Sequence, residues 1–584
     1  MATKLDAVTI QILWNRLIAI VDEAATGLIR TAYTPSVKEY HDFCCALFDT
    51  SGRMLAHSTV TTAGFLGIVP EVMRNFLRKF PPQSLADGDA IITNDPWIAS
   101  GHLIDISIAA PIFHRGRIVG YTLCIVHHLD MGGRMSTLAS KDIYEEGLKI
   151  PILKLFEAGQ LNRTIFDFIT ANTRVPDKIL GDVRAQIVAN NVCARGLKVM
   201  MDEYALDDGL EGLASEIISR TEQSLRSKIA KLPQGVYRND VILPRIPGVD
   251  TDIKICCEMR VEGDGITVDY TGSSGEVGAA VNCCYNMTRS YTSYPFKLAL
   301  DPSVPNNDGA LNPITIIAPI GSIVNCRPPT ATWGRTMISH LFPEIVFGAM
   351  EKVLPERVLA ANGGAPANEI YLHGKHADGR SFMAISQHSG GFGGSARQDG
   401  PATLCFPNNT RNIPVEVTEN ESRMMYLRKE LVPDSGGAGR NRGGLGQVVE
   451  YEILGGGPDG KDQVESSVRL SGRRENGNFP VSGRLGGKAG RGYGLEINDN
   501  EVDHGTSRTL NPGDRVCFRL SGGGGYGDPL ERDPARVLDD VKEGRVTVEG
   551  ARNDYVVVID PATNTIDAAA TAAKRKTPQA EARA

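Results

Sequence analysis

The chain has 584 residues, 41% of them hydrophobic and 22% charged, with a formal net charge of −7 and a pI near 6.0. Its length allows a large core and several domains. No basic patch points to a nucleic-acid partner, and no apolar run approaches the ~18–20 residues of a membrane helix.

The N-terminal MATKLDAVTI has no apolar signal core after its lysine, so a cytoplasmic location is expected. From Asp6 to about residue 33, Val8, Ile12, Leu17, Ile20, Val21 and Leu28 recur at helical spacing and predict an amphipathic helix. Short strands and turns follow to about residue 133. Residues 151–228 are helix-rich, and their charged, leucine-spaced face reads as a solvated surface. From Gly235, strand patterns alternate with glycine turns. Residues 252–272 predict a hairpin about Glu262-Gly263-Asp264-Gly265. From Gly363 to Gly527 glycine is dense and long helices are scarce. Within that region Glu416 and Glu419 are read on a strand, where odd spacing puts them on opposite faces. Asp533-Pro534 predicts a helix start, with Asp533 as the cap and Pro534 in the first position. The composition beyond Ile566 reads as a frayed or disordered tail.

One constellation carries chemistry. Residues 94–113, NDPWIASGHLIDISIAAPIF, run from a turn into an alternating apolar strand. Residues 121–133, YTLCIVHHLDMGG, form a second strand ending in two histidines, an aspartate and two glycines. The HRGR between them, residues 114–117, predicts a hairpin. Such a hairpin could bring His102, Asp105 and one of His127 or His128 together. Two imidazoles and a carboxylate suit a catalytic divalent metal and leave a position for water. Spacing alone also allows core histidines, because no compact motif such as H-E-x-x-H is present. Asp95 is expected to cap the Asn94-Asp95-Pro96 turn. Asn94, Trp97 and Ser100 lie beside the cluster as candidate pocket residues.

The remaining motifs mostly exclude. The eleven cysteines include the adjacent pairs Cys44-Cys45, Cys256-Cys257 and Cys283-Cys284, which are poorly placed for disulfides. No C-x-x-C occurs, so they read as core residues, with a nucleophilic Cys283 or Cys284 as the alternative. The glycine clusters at residues 390–394, 434–446 and 522–527 match no phosphate-binding loop, so the chain itself is not expected to hold ATP. The last cluster reads as tight turns or close backbone approach. The first two are flanked by Arg397, Asp399, Asp434 and Arg440. Arg397, Asp399 and Arg440 are therefore candidate substrate-binding residues, with structural ion pairs as the other reading.

These segments resemble the hydantoinase B/oxoprolinase family, and the likeness spans nearly the whole chain. It runs through residues 6–49, 143–159, 172–191, 268–282, 306–325, 390–400, 434–446 and 521–547 in family order. The resemblance implies a B-type subunit whose metal ligands are His102, Asp105 and His127, with Asp42 as a fourth. His128 and Asp130 become candidates for proton transfer. Imidazole with carboxylate suits zinc, manganese, iron or cobalt, and the resemblance implies ATP on an A-type partner subunit and a hetero-oligomer acting on a small molecule. The implied activity is ATP-dependent opening of a cyclic amide, hydantoin or 5-oxoproline-like, phosphorylated by the partner. A ketone carboxylase component of the acetone or acetophenone type is the alternative, and an inactive scaffold is a third reading. The chain departs from many relatives at Phe65, where a histidine is expected; His57 is a candidate substitute.

The expected fold is α+β and multi-domain. Residues 1–150 form an N-terminal metal-binding α/β region and 151–234 a helical segment. Residues 235–350 form an α+β region, 351–565 a glycine-rich, β-rich region, and 566–584 the tail.

Overall fold

The computed structural model describes residues 6–576, apart from 135–137, 207–208, 244–245, 367, 471–472, 474–476, 478, 504 and 506. Its first helix, Ala7–Thr31, starts where Asp6 caps it, the carboxylate accepting from the N–H groups of Val8 and Thr9. Leu13, Leu17, Ile20, Val21 and Leu28 are buried along one stripe. That stripe packs on the long helix Pro176–Glu203 and on strands β1 (Phe43–Phe48) and β2 (Met54–His57).

These strands belong to a seven-stranded antiparallel sheet, completed by β3 (Ala90–Thr93), β4 (Asp105–His114), β5 (Arg117–His127), β6 (Leu153–Glu157) and β7 (Gln160–Leu161). The strand order is β2-β1-β5-β4-β3-β6-β7. β6 and β7 follow residue 150, so the N-terminal sheet reaches into the segment expected to be helical. The expected β4–β5 hairpin is present. Arg115 (φ 48°) and Gly116 (φ 77°) form its turn, both left-handed as a tight two-residue hairpin requires. The ladder sets Asp105 directly opposite His127.

Residues 235–317 contain a four-stranded sheet that includes the hairpin Glu258–Glu262/Gly265–Asp269, turning where the sequence predicts. The helix Tyr285–Leu300 follows the hairpin and packs on the helix Phe342–Met350. Beyond it lie a four-stranded and a five-stranded sheet.

The glycine clusters form one body. Gly391 N–H donates to Ser521 O, Gly394 to Gly524 O, Gly437 to Gly523 O and Gly523 to Gly444 O, at 2.8–2.9 Å. Gly391, Gly443 and Gly523 lie outside the positive-φ region. Their requirement is close approach: a Cβ at Gly443 would overlap the carbonyl oxygen of Gly523, and one at Gly523 would overlap that of Phe392. Extended backbones thus cross-link side by side at a spacing only glycine permits.

Two expectations need correction. Glu416 and Glu419 lie on a helix, Val415–Glu421, where spacing of three puts them near one face. The expected tail contains a helix, Ala568–Lys576, with Thr571 buried and accepting from Val558 N–H. Residues 577–584 lie outside the described residues. Among the described residues no helix is long and apolar enough to cross a membrane.

Candidate metal centre

The β4–β5 ladder decides between the two adjacent histidines. Asp105 and His127 are directly opposed and share a face, and the next residue must point the other way. His127 Nδ1 lies 2.9 Å from Asp105 Oδ1. His128 is buried on the far side, its Nε2 3.2 Å from Gln186 Oε1 on the long helix.

His102 reaches the cluster from the turn before β4. Gly101 (φ 81°) bends the chain there, and a Cβ at that position would meet Arg335 Cδ at 2.7 Å. Asn94 braces the turn: its amide donates to Leu103 O and Leu148 O, and its oxygen accepts from Ile150 N–H. Asp95 accepts from Trp97 N–H, the capping role expected of it. The Trp97 indole is anchored on Cys326 O.

His102 Nε2 stands 2.9 Å from Asp105 Oδ2, and the two imidazole rings are 5.3 Å apart. One donor atom from each of His102, Asp105 and His127 lies within 4.8 Å of the others. The Nε2 atoms of both imidazoles are buried without a hydrogen-bond partner. Buried polar atoms are normally satisfied, so two orphaned imidazole nitrogens around one carboxylate fit a divalent cation. Asp42 adds a carboxylate whose Oδ2 is 3.8 Å from His127 Nδ1, and Thr62 donates to its other oxygen at 2.8 Å.

The electrostatics follow from burial and charge. Burial raises the Asp42 pKa to about 6, against the attraction of His127. Burial also opposes ionisation of Asp105, but the two imidazoles hold its pKa well below the ordinary range. Burial, then the charge of Arg335, pushes His102 down to about 3. Burial would lower His127 too, but the Asp105 hydrogen bond and the Asp42 charge raise it.

Arg335 carries no signal in the sequence. It is 4% exposed, and its guanidinium reaches Ser100 O at 2.8 Å, His102 Nδ1 at 2.8 Å and Asp105 Oδ2 at 3.2 Å. Trp333 and Thr332, just before it, donate backbone N–H groups to Glu146 Oε1 at 2.8 Å. Beyond Trp333, Arg469 stacks 4.7 Å from the indole and pairs with Glu369, which also accepts from Tyr371.

Other candidates are engaged elsewhere. Asp130 binds Gly132 N–H and pairs with Arg174 at 2.7 Å, fastening a loop. Neither it nor His128 joins the cluster. Asp399 is a hub for Arg532, Arg536 and the Arg442 backbone. Asp434 accepts from Thr547, and Arg440 lies 3.4 Å from Glu531. Arg397 is exposed and faces a cavity. Phe65 is buried in the core. Burial drives the Cys283 and Cys284 thiols well above their ordinary pKa, which disfavours the nucleophilic thiolate.

The sequence matches the family described as Hydantoinase B/oxoprolinase over residues 6–529. It is 28% identical over 588 residues to the B component of a putative D-/L-hydantoinase from a Pseudomonas species, covering 95% of this chain and 96% of that one. It is 29% identical to the beta chain of the caprolactamase of Pseudomonas jessenii, covering 98% and 99%. The solved structure of that organism's ATP-dependent caprolactamase superposes with a TM-score of 0.88 at 27% identity, covering 98% of this chain and 100% of that one. The fold is also that of an acetone carboxylase chain, with a TM-score of 0.84 at 21% identity, covering 98% of this chain and 82% of the other. With this match along nearly its whole length, the chain belongs to the hydantoinase B/oxoprolinase family.

Proposed function

We propose that this chain is the metal-bearing B-type subunit of an ATP-dependent enzyme that opens a cyclic amide. The carrying observation is the convergence of His102, Asp105 and His127, with two imidazole nitrogens left unpartnered in a buried site. Relatives named for hydantoinase and caprolactamase activity favour amide opening over ketone carboxylation.

His102, Asp105 and His127 would hold a divalent cation, zinc, manganese, iron or cobalt, with Asp42 assisting. When bound, the ion would supply Lewis acidity to water and to the amide carbonyl. Asp42, whose Oδ2 lies 3.8 Å from His127 Nδ1, is a candidate to hold or move a proton beside the cluster. Arg335, bonded to His102 and Asp105, would keep a permanent positive charge beside the cluster, able to stabilise negative charge growing on a substrate carbonyl. An A-type partner would supply ATP and the activating phosphorylation, because the glycine clusters here are occupied by one another. A cytoplasmic setting agrees with eleven free cysteines.

The test is reconstitution with an A-type partner, following ATP consumption and ring opening separately. Asp105→Asn should leave ATP consumption measurable and reduce ring opening at least about 100-fold, beyond the ~10–100-fold typical when only a group supporting a metal ligand is changed. Ring opening at the wild-type rate would refute the reading. Fixation of bicarbonate onto a ketone, with cyclic amides untouched, would put the carboxylase in its place.

A further inference from the structure

A cavity of about 580 Å³ opens where distant parts of the chain meet, within the ~300–1,000 Å³ range of small-molecule sites. Residues 57–66, the helix Tyr285–Leu300 and the glycine bundle around Phe392 each contribute a wall. None of Asp42, His102, Asp105 or His127 lines it, so it is a second site, apart from the metal centre.

Three aromatic rings shape its interior. Phe392 and Phe406 stand edge to face, with ring centroids 5.5 Å apart and planes at 87°. Tyr294 lies 6.1 Å from Phe406, with planes at 46°. Each ring comes from a different segment. Phe392 is pinned by its backbone, its N–H donating to Pro401 O at 3.0 Å and its carbonyl accepting from Gly444 N–H at 2.8 Å. The rings form a corner ready for a flat aromatic body, because aromatic rings attract one another edge to face or offset at centroid distances of about 4.5–7 Å.

The charge of the lining narrows the ligand further. Arg357 and Arg397 are exposed at the mouth, and neither pairs with a carboxylate among the described residues. Glu356 is the one acidic residue of the lining. The other titratable groups stay neutral. Burial lowers the His57 pKa, raises the Tyr294 hydroxyl to about 12 and raises the Cys405 thiol. Two cations against one carboxylate leave a single net positive charge, which suits a monoanion.

We propose that this cavity binds an aromatic carboxylate, its ring in the corner of Tyr294, Phe392 and Phe406 and its carboxylate between Arg357 and Arg397. A guanidinium presents parallel N–H donors that match a carboxylate. The site does not rest on the amide-opening reading. A ligand there bridges the helix Tyr285–Leu300 and the glycine bundle, so binding stabilises the folded chain.

Calorimetry and thermal melting of the purified full-length chain test this with three probes: phenylacetate, its saturated counterpart cyclohexylacetate, and neutral benzyl alcohol. The wild type should bind phenylacetate and melt at a higher temperature in its presence. Cyclohexylacetate should bind severalfold more weakly, since it has no π-face to meet the three rings. R357Q/R397Q should weaken phenylacetate at least about tenfold and leave benzyl alcohol unchanged, because only the charge-assisted bonds are removed. Leu404→Trp, which fills the cavity from a 43% exposed position, should weaken all three. The changed side chains are exposed, so metal content and the melting temperature without ligand should match the wild type. No binding or thermal shift in the wild type at ~10 mM phenylacetate overturns the proposal. Equal affinity for phenylacetate and cyclohexylacetate, or phenylacetate binding unaltered in both variants, overturns it as well.

Discussion

The guanidinium of Arg335 donates to Nδ1 of His102 at 2.8 Å. A guanidinium has no acceptor, so Nδ1 must accept, and a neutral His102 then carries its proton on Nε2. A cation at Nε2 needs the opposite tautomer, with Nδ1–H turned to Trp333 O, now 3.4 Å away. Arg335 and a metal ion therefore compete for His102, through tautomer and through charge.

Arg335→Gln is expected to bind zinc about tenfold more tightly in a chelator competition, equivalent to ~1.4 kcal/mol. The metal-free variant should also lose about 3–5 kcal/mol of stability, because the buried Asp105 carboxylate loses its permanent counter-charge. Weaker zinc binding would mean that Arg335 holds the ligands in place instead of competing with the ion.

The glycine bundle makes a sharper prediction about stability. Gly443→Ala should cost several kcal/mol or prevent folding, since the added methyl collides with a backbone carbonyl that has no rotamer to escape into. Gly212→Ala is the control. It lies in the helix Glu211–Ile229 with nothing within 4 Å of the added Cβ, and it should stabilise by about 0.5–1 kcal/mol. Denaturant midpoints that move equally for the two would contradict the packing account.

Glu146 predicts a pH dependence. Burial raises its pKa from 4.5 to about 8, against two backbone N–H donors. Folding therefore takes up a proton. The stability this contributes is complete below the unfolded value of 4.5 and is lost as pH rises through about 8. Wild type should lose stability relative to Glu146→Gln by up to ~1.4 kcal/mol per pH unit across that window. Parallel unfolding curves from pH 5 to 9 would rule Glu146 out as the source.

Local chemistry makes much of this structure legible. The Asp6 cap and the apolar stripe define the first helix, and His114-Arg115-Gly116-Arg117 defines the hairpin that joins Asp105 to His127. Two adjacent histidines necessarily face opposite ways on a strand, but only the ladder register shows which one meets Asp105. Arg335 is 230 positions from Asp105, so no spacing could announce it. The helix at Glu416 is masked by β-branched Val415, Val417 and Thr418, which carry a strand preference that tertiary contacts override. The run after Ile566 has the polarity of a tail, although its alanines are the strongest helix formers.

Metal analysis of the purified chain tests the central claim most directly. Wild type and His128→Ala should carry close to one equivalent of a divalent transition metal, because His128 belongs to the opposite face and bonds Gln186. His102→Ala and His127→Ala should each lose most of it, and Asp42→Asn should retain an intermediate amount. Full occupancy in His102→Ala and His127→Ala, or its loss in His128→Ala alone, would contradict the assignment.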